Sequence, residues 1–196
     1  MTPGEDAQAI KRFSAFLEHR KCCFWLENEL TEVLPSRDKK VDFFVRTRSH
    51  LPVLVEIESF KEDRRALKAL RQNSVMSGLH QSDSRRVAAR VRSAGDQLES
   101  YRDRGFPGIV VLDDFRGVGM PVNTDVLGLV LMNYFPASNR PYVSAVGWLL
   151  ESDHGQYFLR VFHNPHADVP LDRTTFGTEF DEHWYQPSGR FFERST

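Results

Sequence analysis

The sequence predicts an α/β fold, a mixed central β-sheet flanked by helices. Three observations carry that expectation. The chain has 196 residues, 40% of them hydrophobic and 27% charged, enough for one globular domain with a sizeable core. Segments with helical spacing alternate with short apolar runs of strand character. The order is helix, hairpin, helix, strand, then further strands, which suits a mixed sheet with helices packed on it.

Residues 7–33 read as helical, with a break near Lys21. Ala9, Phe13, Phe16 and Leu17 follow the 3–4 spacing, and Trp25, Leu26, Leu30 and Val33 repeat it. Pro35 and the polar run after it end the region. In "VDFFV", Asp42 and Phe44 share one side, and Val41, Phe43 and Val45 the other. In "PVLVEIES", Leu54, Glu56 and Glu58 share one side, and Val53, Val55 and Ile57 the other. A short polar connection joins the two runs, so a β-hairpin is expected. Residues 61–72 suggest a charged helix, and 73–83 a loop. A helix then follows, capped by Ser84, with Val87, Val91, Leu98 and Tyr101 on one side and Gly105 ending it. "GIVVLDD", "DVLGLVLMNYF", "YVSAVGWLLE" and "QYFLRVFHN" are strand candidates. The tail after Pro165 reads as irregular, with Phe176, Phe180, Trp184 and Tyr185 covering the sheet.

The hairpin raises a chemical question, because both of its apolar runs carry acid. A buried carboxylate is costly unless something pairs with it. Two readings stand at this point. Asp42, Glu56 and Glu58 form a solvated face paired with Arg46, Arg48 or Lys39, or they share a cation. Hard cations such as Mg²⁺ take carboxylate and carbonyl oxygens plus water. An i, i+2 pair on one strand with an Asp on the next brings such oxygens to one face. A cation there polarises a phosphate oxygen and acidifies bound water, the minimum equipment for phosphodiester hydrolysis.

The combination "VDFFV…VLVEIES", preceded by "ENEL" and followed by "AGDQLESYRDRGFPGIVVLDD", resembles the PD-(D/E)XK nuclease superfamily over roughly residues 25–113. The resemblance implies a restriction-endonuclease-like sheet and a Mg²⁺- or Mn²⁺-dependent endonuclease acting on DNA. It implies a core over residues 7–135, with a β-rich extension over 136–196 packed on it within a single domain. By the match, Asp42 and Glu56 bind metal, and an acid from the first helix, Glu29 before Glu27, completes the set. Gln97 and Tyr101 match a Q-x-x-x-Y helix near the substrate, and Arg86 and Arg90, one turn apart, can meet phosphates. The motif lysine is replaced by Glu58, which is then expected to orient or deprotonate the water, with Lys61 as the nearest substitute cation. The same departure favours the other reading, a catalytically inactive nuclease-fold module for binding or assembly.

Other constellations are weaker. His163, His166 and His183 match no helical H-E-x-x-H pattern. "FRGVGMP" lacks the Lys-Ser/Thr of a phosphate loop. Asp113 and Asp114 read as turn residues. From Lys61 to Arg104 there are 11 basic and 6 acidic residues, whereas from Leu150 to Thr196 there are 4 basic and 8 acidic ones. The first segment can face a phosphate backbone, and the second can serve a protein partner or a second copy of the chain. The two adjacent cysteines, Cys22 and Cys23, suit reduced thiols. No signal-peptide pattern opens the sequence, so a cytoplasmic, non-membrane protein is expected.

Overall fold

A computed structural model describes residues 3–30, 33–34, 40–47, 51–59, 79–113, 131, 135, 140–151, 155–176, 182–185 and 191–193. For 3–6, 79–86, 182–185 and 191–193 only the backbone is described. The fold is α/β. Eight strands form one mixed sheet in the order of the chain: β1 (Cys23–Leu26), β2 (Phe43–Arg46), β3 (Val53–Ser59), β4 (Gly108–Asp113), β5 (Ala145–Glu151), β6 (Tyr157–His163), β7 (Glu182–Tyr185) and β8 (Phe191–Glu193). β1–β2–β3 is an antiparallel meander, and β3–β4 and β4–β5 are parallel. β5–β6 is antiparallel, β6–β7 parallel and β7–β8 antiparallel.

A helix covers each face. In α1 (Pro3–His19), Ala9, Phe13, Phe16 and Leu17 recur at helical spacing and are buried. Phe13 and Phe16 stack with ring centroids 5.5 Å apart, and they pack with Phe43, Val45, Val53, Val55, Ile109 and Val111. In α2 (Leu79–Leu98), Val87, Val91, Ala94 and Leu98 are buried on the opposite face, against Phe44, Leu54, Val110 and Leu112. A 3₁₀ turn, Glu99–Arg104, continues α2 to Gly105, whose φ of 66° is the left-handed conformation that glycine adopts without steric cost. The period-2 alternation read from the hairpin therefore separates two cores, one under each helix.

Four sequence expectations are corrected. The first helix stops at His19, and residues 23–26 form an edge strand. Lys21 takes a left-handed φ of 56°, and the N–H groups of Lys21 and Cys22 donate to Glu18 O and Leu17 O at 2.9 and 3.0 Å. That geometry closes the helix, and "CFWL" then pairs with β2. Second, α2 begins at Leu79, so Ser84 lies inside it and residues 79–83 are not loop. Third, Leu131 and Phe135 have helical backbone where a strand was expected. Fourth, the tail is not wholly irregular, since β7 and β8 extend the sheet and carry Trp184 and Tyr185 in β7. Phe176 does cover the sheet, packing against Phe16. The expected helix at 61–72, Asp114 and Phe180 lie outside the described residues.

Asp113 is no turn residue. It ends β4, has a fully buried side chain, and is held by the Arg12 guanidinium of α1, whose Nε donates to its Oδ1 at 3.0 Å. A second contact joins Arg12 Nη2 to Oδ2, so the pair is bidentate. Removing one member leaves the other charge buried without its partner. Asp113→Ala is expected to destabilise the fold by about 3–5 kcal/mol, read from urea unfolding. The double replacement Arg12→Met with Asp113→Leu should recover most of that loss, because it leaves no buried charge behind.

Candidate active site on the α2 face

The acidic face lies at the seam where β2 meets β3. Phe43 pairs with Val55, so Asp42 sits one residue beyond the last paired position, beside Glu56. Three hydrogen bonds hold Asp42 there. Its carboxylate Oδ2 accepts from the Ile57 N–H at 2.7 Å. Its carbonyl accepts from the Glu27 N–H at 3.1 Å, and its own N–H donates to the Glu56 carboxylate. The end of the hairpin thus exchanges ordinary ladder bonds for backbone-to-carboxylate bonds.

Glu56 is 2% exposed, and among the described residues its Oε1 has no hydrogen-bond partner. This excludes the solvated-face reading for Glu56. Burial is the first cause that pushes its carboxyl up, from 4.5 to about 10. The charges of Asp42, Glu58 and Glu27 push it the same way, and the Asp42 N–H opposes them. A carboxyl in such surroundings keeps its proton at neutral pH unless a cation arrives to replace it.

Glu58 is also buried, on the same side of β3 as Glu56. Its Oε2 accepts from Arg90 Nη1 of α2 at 2.8 Å. Arg90 and Glu58 were each expected near a site, but the bond between them was not. Arg90 precedes Val91 at the margin of the buried stripe of α2, which places it near the sheet but does not name its partner. α2 runs against β3, with Arg90 beside Glu58 and Leu98 and Tyr101 lining a small cavity with Leu54 and Gly108.

The remaining expected residues lie elsewhere. Glu29 is exposed in the turn after β1, where its carboxylate accepts from the Leu26 N–H at 3.0 Å. Glu27, from the same turn, is the acid of that segment whose charge acts on Glu56. Gln97 is half-buried, seven residues beyond Arg90 and hence about 10 Å further along α2. Tyr101 is 2% exposed and belongs to the core under α2. Lys61 and the side chain of Arg86 lie outside the described residues. No group of three or more His, Cys, Asp or Glu side chains arranged to hold a metal occurs among the described residues. His166 is in a turn, its N–H bonded to Asn164 Oδ1 at 2.9 Å. Cys22 and Cys23 are free thiols. No helix among the described residues is long and apolar enough to cross a membrane.

The donors present fit a hard divalent cation. Asp42 and Glu56 are adjacent carboxylates, and Glu56 keeps a buried oxygen without a partner among the described residues. Mg²⁺ commonly takes one or two protein carboxylates and fills its other positions with water and phosphate oxygens.

The proton held by Glu56 sets a direction for stability. Its folded value lies above its unfolded one, so its contribution to stability is fully present below about pH 4.5 and is lost as pH rises towards 10. Glu56→Gln keeps the shape and removes the titration. In EDTA the variant should melt above the wild type at pH 8, by about 1–3 kcal/mol, or roughly 3–9 °C for a chain of this size. The gap should shrink towards pH 5. Mn²⁺ should stabilise the wild type and leave the variant unmoved. Thermal melts at the two pH values, with and without metal, read all three effects.

Comparison of the chain with protein-family models, with curated proteins and with solved structures finds no match.

Proposed function

We propose that the protein is a metal-dependent nuclease that hydrolyses DNA phosphodiester bonds, with Mg²⁺ or Mn²⁺ held by Asp42 and Glu56. The observation that carries the reading is the buried Oε1 of Glu56, without a partner among the described residues and beside a carboxylate pinned by the backbone. A merely structural acid in a core is paired, whereas this one is surrounded by further acids. The surrounding topology agrees with the resemblance to the PD-(D/E)XK superfamily. A helix, an antiparallel three-stranded meander, a second helix and a parallel strand follow one another, and the acids sit on β3 and just ahead of β2.

When bound, the cation supplies Lewis acidity towards a phosphate oxygen and a water of lowered pKa. The chain's own contribution is positioning. The Ile57 N–H fixes the Asp42 carboxylate, and the Asp42 N–H orients Glu56. The apolar floor of Phe44, Val110 and Leu112 lowers the local dielectric and strengthens every charge interaction above it.

One observation favours a second reading, a non-catalytic binding or assembly module of the same fold. The position where the superfamily carries lysine holds Glu58, and its carboxylate is engaged by Arg90.

Supercoiled and single-stranded circular DNA with EDTA, Mg²⁺ or Mn²⁺ separate the two readings. The wild type should nick or linearise DNA only with metal. Asp42→Ala and Glu56→Ala should each lose at least about 100-fold in rate while retaining the wild-type circular dichroism spectrum. Undiminished metal-dependent cleavage by both folded variants would reject the site, and an inert wild type would favour the binding module.

A further inference from the structure

We propose that Arg90 is the cation that contacts the substrate phosphate at this site, and that Glu58 is the residue that positions it. The inference rests on the nuclease reading above and deepens it by naming the group that answers the charge of the phosphate.

Hydrolysis of a phosphodiester builds negative charge on the non-bridging oxygens, and a preorganised cation lowers the barrier most where water is excluded. Two carboxylates and one divalent ion leave part of that charge unanswered. Among the described residues, the charges that act on Glu56 are those of the acids Asp42, Glu58 and Glu27. The guanidinium tied to the acidic face is that of Arg90. It reaches over from α2 to Glu58, two residues along β3 from Glu56 and hence about 7 Å further on.

The two partners are buried unequally. The Glu58 side chain is 8% exposed, and that of Arg90 is 32% exposed. Arg90 is thus the partner that solvent reaches, and Glu58 the one it covers. Among the described residues the guanidinium makes a single hydrogen bond, through Nη1. A guanidinium has five N–H donors in a rigid fork, so an edge remains for a phosphate, which it can grip at two oxygens. Val87 and Val91, either side of Arg90 on the helix, are buried and fix the backbone that carries it. A flexible ammonium on a loop would have to be ordered at each turnover; this guanidinium is held before the substrate arrives.

The competing explanation is that the ion pair only ties α2 to β3. A charge-relocation series separates the two. Single-turnover DNA cleavage is measured with Mn²⁺ for the wild type, Arg90→Gln, the pair Glu58→Gln with Arg90→Gln, and the pair Glu58→Lys with Arg90→Gln. The Gln/Gln pair removes both charges of the Arg90–Glu58 ion pair together, so it remains a test should Arg90→Gln alone fail to fold. Arg90→Gln and the Gln/Gln pair should cleave about 100- to 1,000-fold more slowly than the wild type, with Mn²⁺ stabilisation retained. The Lys-for-Glu58 pair, which returns a cation to the face from β3, should recover at least tenfold over the Gln/Gln pair. Cleavage by the folded Gln/Gln pair within threefold of the wild type overturns the proposal, as does equal inactivity of the two double variants. In either case metal-dependent cleavage by the wild type leaves the nuclease reading standing. A wild type inert with both metals overturns the two together.

Discussion

The structure depends on a carboxyl group where carboxyl groups are expensive. Glu56 is enclosed by β2, β3 and α2, and the charges beside it are those of other acids. A fold selected for stability alone would place a leucine or valine there, as the same strand does at Leu54 and Val55. Keeping Glu56 means tolerating a proton held out of its usual range or supplying a cation that replaces it. The hairpin gives up ladder bonds at Asp42 and spends the freed N–H groups on carboxylates. A buried acid kept at a cost in stability is a familiar trade between function and stability.

Two ion pairs brace the strands around that seam from opposite sides. Arg12 of α1 holds Asp113 on one face of the sheet, and Arg90 of α2 holds Glu58 on the other. In the parallel register Ser59 stands beside Asp113 and Glu58 beside Leu112, so both clamps grip the same end of the β3–β4 pair. It is the carboxyl end of the two strands, the end at which open α/β sheets generally collect their ligands. The clamps differ in character. The Arg12 side chain is 17% exposed and that of Arg90 32%, so the second clamp is the more accessible from solution.

Much of this was legible in local pattern. Strict alternation in "VDFFV" and "VLVEIES" placed Phe44, Leu54, Glu56 and Glu58 on one face, and the structure has them under α2. Val87, Val91, Leu98 and Tyr101 were read as one side of a helix and are all buried. Failures came where local pattern is ambiguous or where the partner is distant. "CFWL" fits a helical stripe as well as an edge strand, because four apolar residues carry too few periods to decide; pairing with β2 decided it. Leu131 and Phe135, four residues apart, lie in an apolar run that reads equally well as strand. Arg12 and Asp113 are 101 residues apart, and nothing near either in the chain announces the other. At the site, the expected acid and phosphate-binding residues were visible singly. The embrace of Glu58 by Arg90 depends on how α2 lies across β3, which no spacing within either element encodes.

The strand order carries a consequence of another kind. All eight strands lie in the sheet in the order in which they occur in the chain. During synthesis, each of the described strands after β1 therefore emerges when its inner neighbour already exists. The three parallel steps, β3–β4, β4–β5 and β6–β7, are the slow ones, since each waits for an intervening connection to close before its hydrogen bonds reward it. Growth from one edge keeps a single unfinished strand exposed at a time, which limits the window for pairing with a neighbouring nascent chain.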